Sequence, residues 1–98
     1  MNQVVDVTID AGHPSLSGHF PGHPVVPGVV ILDKVREAIF TRHPGFYISG
    51  FPNVKFLQPL LPMQEFQIEI DEQKGRYRFT CRRNDTLIAQ GEIRLASL

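Results

Sequence analysis

The chain has 98 residues, the length of a single domain, so residues 1–98 are predicted to fold as one unit. Ten basic and ten acidic side chains give a formal net charge of zero, which argues against a dedicated nucleic-acid-binding protein. Because a chain this short buries only a modest share of its surface, association with a second copy is expected.

The cysteine content and the hydropathy exclude further classes of protein. Cys81 is the only cysteine, so an internal disulfide is impossible and a cysteine-based metal site is not indicated. No charged and then apolar leader is found at the N-terminus, and no apolar run approaches the ~18 to 20 residues that cross a bilayer. The sequence therefore predicts a cytoplasmic protein that associates with neither membranes nor nucleic acid.

The first half of the chain predicts a strand, a loop and a helix. Residues 1–9 alternate apolar and polar side chains, which is typical of a strand with one buried face. Loop signals follow, and the prolines and glycines of residues 18–26 exclude a regular helix. Pro27 and Gly28 are expected to open a helix that ends between Thr41 and Gly45. Its apolar positions lie nearly all round the cylinder, so we expect other structure to wrap it completely.

From Tyr47 onwards the pattern changes to the period of two that predicts strands. One strand covers residues 47–58 with an interruption near Pro52, and three more centre on residues 66–71, 77–82 and 87–95. Lys74-Gly75 and Asn84-Asp85 predict the hairpin turns between the last three. A curved antiparallel sheet wrapped around a central helix buries these faces best, which is the α+β arrangement called the hotdog fold.

One proline-rich motif carries the functional information, and it runs from the loop into the helix. Its residues are His19-Phe20-Pro21-Gly22, Pro24, Pro27-Gly28-Val29 and Leu32-Asp33. The motif resembles that of the FabA/FabZ-like β-hydroxyacyl-[acyl carrier protein] dehydratase family, including the fourteen positions that separate the histidine from the carboxylate. The segment from Val54 to Pro62 resembles a second block of that family. Most members carry glutamate where this chain has Asp33.

The resemblance implies an enzyme that dehydrates β-hydroxyacyl thioesters to trans-2-enoyl thioesters in the synthesis of fatty acids or polyketide-like and aryl-polyene-like lipids. It implies His19 and Asp33 as the catalytic pair, supplied by different subunits of a homodimer, or of a higher oligomer built from it. It also implies substrate contacts by Phe20, Pro27, Gly28 and Val29. The substrate would arrive on the phosphopantetheine arm of acyl carrier protein, or as a coenzyme A thioester, without a metal or redox cofactor.

The residues themselves fit this chemistry. An imidazole titrates near neutral pH, so His19 can remove the proton from the α-carbon. Asp33 can protonate the β-hydroxyl only if its pKa is raised, and apolar neighbours in the helix together with Glu37 favour that shift. Arg36 acts in the opposite direction, and an ion pair with it is the plain structural explanation of Asp33.

The backbone is expected to supply a third group. The N–H of Gly28 lies in the first helical turn, where it has no helical partner, and it can bind the thioester carbonyl. Asp33 lies five residues further on, ~7.5 Å along the helix axis. The plain explanation of Gly28 is clearance for the backbone.

Other residue clusters admit plainer explanations. His19 and His23 have a spacing that binds zinc only on a helix, which Pro21, Gly22 and Pro24 exclude, so no metal site is predicted. A basic stripe formed by Arg76, Arg78, Arg82 and Arg83 is either a solvated sheet face or a docking surface for an acidic carrier protein. Cys81 alternates with aromatic residues and is expected in the core.

Two alternative functions remain open at this point. A hotdog thioesterase would share the fold and use the carboxylate to activate water for hydrolysis. A catalytically degenerate subunit would bind acyl groups and support an active partner without turnover.

Overall fold

The computed structural model describes residues 2–13 and 25–98. Within these ranges the chain forms six strands and one helix: β1 Asn2–Thr8, α1 Gly28–Arg42, β2 Phe46–Gly50, β3 Val54–Phe56, β4 Glu65–Gln73, β5 Arg76–Arg83 and β6 Thr86–Ser97. The strands are antiparallel and follow the order β1-β4-β5-β6-β2, with β3 also pairing β6. The predicted α+β architecture of one helix against one antiparallel sheet is confirmed.

The core lies between α1 and the inner face of the sheet. From the helix it takes Val30, Ile31, Val35, Ala38 and Ile39. From the central strands it takes side chains that alternate along each strand: Phe66, Ile68, Ile70, Phe79, Cys81, Ala89 and Ile93. The predicted period of two therefore identifies the buried face of β4 and β5, and the core position of Cys81 is confirmed.

The helix is covered on one side only, which corrects the prediction that it is wrapped completely. Val29 is 66% exposed and Phe40 is 62% exposed. Both lie on the same face as Asp33, four residues before it and seven after it, and Asp33 is exposed as well. A single sheet can contact only one face of a cylinder, so the described residues leave the opposite apolar face open.

The turns follow the local sequence closely. Lys74 and Gly75 both have positive φ, 54° and 76°, as the tight hairpin between β4 and β5 requires. Asn84 has φ 54° in the next turn. The chain also breaks between β2 and β3, at residues 51–53, as the proline at position 52 predicts.

A bulge in β6 shifts the alternation predicted for its first residues. Cys81 pairs with Ala89 but Arg82 pairs with Leu87, so Ile88 is the extra residue. Its side chain is buried and its carbonyl accepts a hydrogen bond from the N–H of Leu57 at 2.8 Å. An unbroken period of two through Ala89 would bury Leu87, whereas the structure buries Ile88 and leaves Leu87 partly exposed.

Candidate active site

Asp33 lies on the outer face of α1, at the edge of an open cavity of about 470 Å³. The other lining residues are Arg36, Glu37, Phe40, Thr41, Tyr47 and Ile48. Within the described residues the Asp33 carboxylate makes no hydrogen bond or ion pair. Its helical neighbours do not supply the expected shielding, because Val30 points into the core and Val29 is itself exposed. A carboxylate in this position is open to substrate and to a second protein surface.

The ion pair between Asp33 and Arg36, the plain explanation of the aspartate, does not form. Nη1 of Arg36 instead donates to the carbonyl of Ile48 at 3.1 Å, and the guanidinium lies 5.0 Å from the ring centroid of Phe51. Glu37, the second charged neighbour, accepts from Lys34 at 3.1 Å. Both charged neighbours on the helix therefore contact groups other than Asp33.

Gly28 is the first residue of α1, and Pro27 occupies the N-cap position just before it, with φ −62° and ψ 146°. Pro27 makes no side-chain hydrogen bond that caps the helix, and the first N–H groups of a helix have no helical partner. A Cβ at position 28 would lie 2.6 Å from Cζ of Phe56, closer than such contacts occur. This clash with Phe56 explains why position 28 is a glycine. The N–H of Gly28 lies in the first turn of the helix, where the sequence predicts a donor to a ligand.

The N-terminal end of α1 borders a second, smaller cavity of about 250 Å³. Apolar side chains line most of it, including Val26, Ile31, Phe56, Leu57 and Leu60. In one chain this cavity and the one beside Asp33 share none of their lining residues. A site that uses Gly28 and Asp33 together must therefore be completed by something beyond the described residues of one chain.

The remaining predicted site residues divide into two groups. Pro27 and Val29 lie at the start of α1, with the Val29 side chain on the face of Asp33. His19 and Phe20, as well as His23, lie outside the described residues. Among the described residues, no group of three or more histidine, cysteine, aspartate or glutamate side chains is arranged to hold a metal ion.

Three aromatic residues at these cavities were not predicted as site residues. Phe40 was detectable in principle, because it follows Asp33 by seven positions and so shares its helical face. Tyr47 reaches the Asp33 cavity from β2, and Phe56 reaches Gly28 from β3. These two contacts depend on tertiary structure, and local periodicity carries no signal for them.

The basic stripe on β5 is partly neutralised by glutamates of neighbouring strands. Arg82 contacts Glu69 of β4 at 3.2 Å, and Arg78 contacts Glu92 of β6 at 3.7 Å. On the opposite face of the same strand, burial raises the pKa of the Cys81 thiol to about 12. The stripe is thus, in part, a set of cross-strand pairs on the outer face of the sheet.

The family model described as ApeI dehydratase, from the ApeI-like family, matches residues 1–92. The chain belongs to the ApeI-like dehydratase family. It is also similar to the 3-hydroxyacyl-[acyl-carrier-protein] dehydratase FabZ of Haemophilus influenzae, with 32% identity over 82 residues that cover 74% of this chain and 55% of the relative. The chain therefore spans about half the length of that relative.

Two solved structures place the ApeI-like chain among hotdog proteins. A chain of the dehydratase heterocomplex ApeI:P from Xenorhabdus doucetiae matches with a TM-score of 0.84 and 31% identity, covering 97% of this chain and 87% of that one. An acyl-CoA hydrolase from Staphylococcus aureus matches with a TM-score of 0.71 at 14% identity, covering 99% and 64%. The second likeness concerns the fold alone. No helix in the described ranges is long and apolar enough to span a membrane.

Proposed function

We propose that this ApeI-like protein dehydrates β-hydroxyacyl thioesters, carried on acyl carrier protein, to trans-2-enoyl thioesters in lipid biosynthesis of the fatty-acid or polyketide type. The observation that carries the proposal is the position of Asp33. It is a carboxylate on the open face of the helix, without an ion-pair partner among the described residues, beside a cavity of about 470 Å³. The family match and the motif that links His19 to Asp33 support the same reaction.

The proposed mechanism needs one base, one acid and one donor to the carbonyl. His19 takes the proton from the α-carbon, and the electron pair moves to form the α,β double bond as the β-hydroxyl leaves. Asp33 gives that hydroxyl its proton, so one water is released and the thioester is retained. The N–H of Gly28 stabilises the charge that develops on the thioester oxygen, a contribution of ~3 to 4 kcal/mol for donors of this kind.

The active form is proposed to be a homodimer in which His19 of one subunit meets Asp33 of the other. The open apolar side chains of Val29 and Phe40 support this, because they flank Asp33 and would lose their contact with water under a second subunit. Such a cover would also remove water from the Asp33 carboxyl and favour its protonated, proton-donating form.

A mixing experiment tests the shared site. His19→Ala and Asp33→Ala variants are each expected to be inactive, and mixing them should restore part of the activity through hybrid dimers that contain one intact site. Each variant mixed with itself is the control. Two inactive variants that stay inactive after mixing and verified subunit exchange would contradict a site shared between subunits.

The reaction itself is tested with a panel of β-hydroxyacyl carrier proteins of different acyl lengths, with products identified by mass. Loss of one water from the acyl group supports the proposal. Release of free thiol with an intact β-hydroxy acid indicates the thioesterase alternative instead. The same panel offered as coenzyme A thioesters determines which carrier the protein uses.

A second candidate function, that of a subunit supporting an active partner, is favoured by one observation. The similar chain from Xenorhabdus doucetiae was solved as part of a heterocomplex. In that case the protein alone would bind acyl carrier proteins without turnover, and activity would appear only with a second protein. Substitution of His19 or Asp33 in the active complex separates the two functions, since a supporting subunit tolerates both changes.

A further inference from the structure

Arg36 lies three residues after Asp33 on α1, a spacing at which opposite charges on a helix normally attract each other. Both residues line the same cavity. The guanidinium is nevertheless directed towards the sheet, with Nη1 donating to the carbonyl of Ile48 at 3.1 Å and the charge 5.0 Å from the ring centroid of Phe51.

Both groups that bind Arg36 are themselves fixed by the fold. The pairing of β2 with β6 shifts between Ile48, opposite Leu95, and Gly50, opposite Arg94. The Ile48 carbonyl, at the last paired residue before this shift, accepts the guanidinium. The ring of Phe51 packs edge-on against the buried Phe79, with centroids 5.7 Å apart and planes at 80°.

Among the described residues, the other charged and titratable groups around Asp33 do not replace Arg36 as a partner. His19, which the proposed dimer brings to Asp33 as the base of the reaction, lies outside the described residues. On α1, Glu37 is engaged by Lys34 at 3.1 Å. From β2, Tyr47 lines the cavity and carries no cationic group. Of the described residues that line the cavity, Arg36 is therefore the cation near enough in sequence to pair with Asp33, and the structure directs it elsewhere.

We propose that Phe51 and the Ile48 carbonyl are positioning groups that hold Arg36 away from Asp33, so that the aspartate keeps the proton it must donate. The inference rests on the proposed dehydratase function. An Asp33–Arg36 ion pair would stabilise the carboxylate and lower its pKa, and a carboxylate has no proton to give to the β-hydroxyl. On this view Phe51 acts on the reaction through Arg36 and Asp33, without touching substrate.

Three variants test the proposal: Phe51→Leu, Arg36→Met and the double variant. The first readout is the pKa of Asp33, which is measured by an NMR titration of its carboxyl carbon. Phe51→Leu removes one of the two contacts that hold the guanidinium and so lets it turn towards Asp33. The variant is expected to lower the pKa of Asp33 by about one unit, which reduces the protonated fraction about tenfold at pH values above the pKa. The double variant is expected to return the pKa of Asp33 to the wild-type value. Arg36→Met alone is expected to leave that pKa within about 0.3 units of the wild-type value, which is smaller than a typical ion-pair effect.

The second readout is the pH profile of turnover, whose fall at high pH reports loss of the acid's proton. This limb should move to lower pH in Phe51→Leu and return in the double variant, which loss of packing alone would not produce. A rise in the Asp33 pKa on Arg36→Met would overturn the proposal, because it would mean that the pair already exists. So would a double variant that remains like Phe51→Leu.

The design separates this proposal from the dehydratase proposal. If wild-type protein does not dehydrate any thioester, the function fails while the NMR titration still decides whether Arg36 is held away. If Phe51→Leu does not fold, Phe51→Met removes the aromatic ring and retains most of the volume, and the same outcomes apply.

Discussion

The ion pairs on the outer face of the sheet contrast with Asp33 on the outer face of α1, whose helical neighbours Lys34 and Glu37 pair with each other. On the sheet, Arg78 and Arg82 each contact a glutamate of the neighbouring strand. On the helix, Asp33 has no ion-pair partner among the described residues. The exposed apolar side chains of Val29 and Phe40 lie on either side of it. Charges that pair within the chain are satisfied by folding. The helix face has the features of a surface completed by something else, which makes it the better candidate for function.

The sharpest way to test this contrast is Asp33→Asn. If Asp33 is the acid, the amide cannot donate the proton, and turnover should fall by about 10²- to 10⁴-fold. Since the side chain is exposed and unpaired, the free energy of unfolding should change by no more than about 0.5 kcal/mol. Activity assays and denaturant unfolding measure the two effects.

Glu69→Gln is the matched control on the sheet, because it removes a carboxylate that is paired with Arg82. Its effect should fall on stability, at about 0.2–1 kcal/mol, and not on turnover. Similar losses of activity in both variants would remove the distinction between the two faces.

A second expected effect concerns the inner face of the sheet, where Cys81 is buried. Its pKa is raised from the ordinary 9.0 to about 12, so between these pH values the unfolded chain loses the thiol proton while the folded chain keeps it. Stability that is present below pH 9 should therefore decline as the pH rises towards 12, by about 1.4 kcal/mol per pH unit at most.

Denaturant unfolding at a series of alkaline pH values measures this slope. Cys81→Ala is the comparison, because it removes the thiol but leaves the tyrosines and lysines that titrate in the same range. An equal slope in both proteins would mean that the thiol ionises without unfolding.

The comparison of faces also indicates what the sequence could and could not predict. The strands, the turns at Gly75 and Asn84 and the ends of α1 follow from short-range pattern, and each was predicted. The shift in alternation at Ile88 was missed, because the bulge depends on how β6 pairs with β5 and the local sequence does not specify that pairing. The exposure of Asp33 was missed because a composition that is apolar all round the helix predicts burial without specifying which chain provides it. The catalytic assignments came from the motif, and periodicity alone would not have produced them.

A smaller effect distinguishes the two explanations of Gly28. Gly28→Ala keeps the N–H but places a Cβ against the partly exposed ring of Phe56, 2.6 Å from Cζ. Overpacking of this kind costs about 1–3 kcal/mol, and the mobility of an exposed ring favours the lower value. Gly50→Ala is the control, because nothing lies within 4 Å of its added Cβ.

The double variant Gly28→Ala with Phe56→Leu separates clearance from ligand binding. Leucine lacks the ring atoms that the new Cβ would meet, so stability should recover. Recovery of turnover together with stability means that the N–H still reaches the thioester and that glycine is needed for clearance. Stability that recovers without turnover would show that position 28 must stay open to the substrate itself.

The smallest effect is expected on the outer sheet face. In a double-mutant cycle of Arg78→Gln and Glu92→Gln, the coupling should be about 0.2–1 kcal/mol, because both side chains are partly solvated.

If the stripe is only a paired sheet face, Arg78→Gln combined with Arg82→Gln should leave turnover of carrier-protein and small thioester substrates equally unchanged. A docking surface for an acidic carrier protein would instead slow the carrier-protein reaction selectively, and more so at low ionic strength, since rim charges act mainly on association rates. That selective loss would assign function to the sheet as well, and the division between a structural face and a functional face would no longer hold.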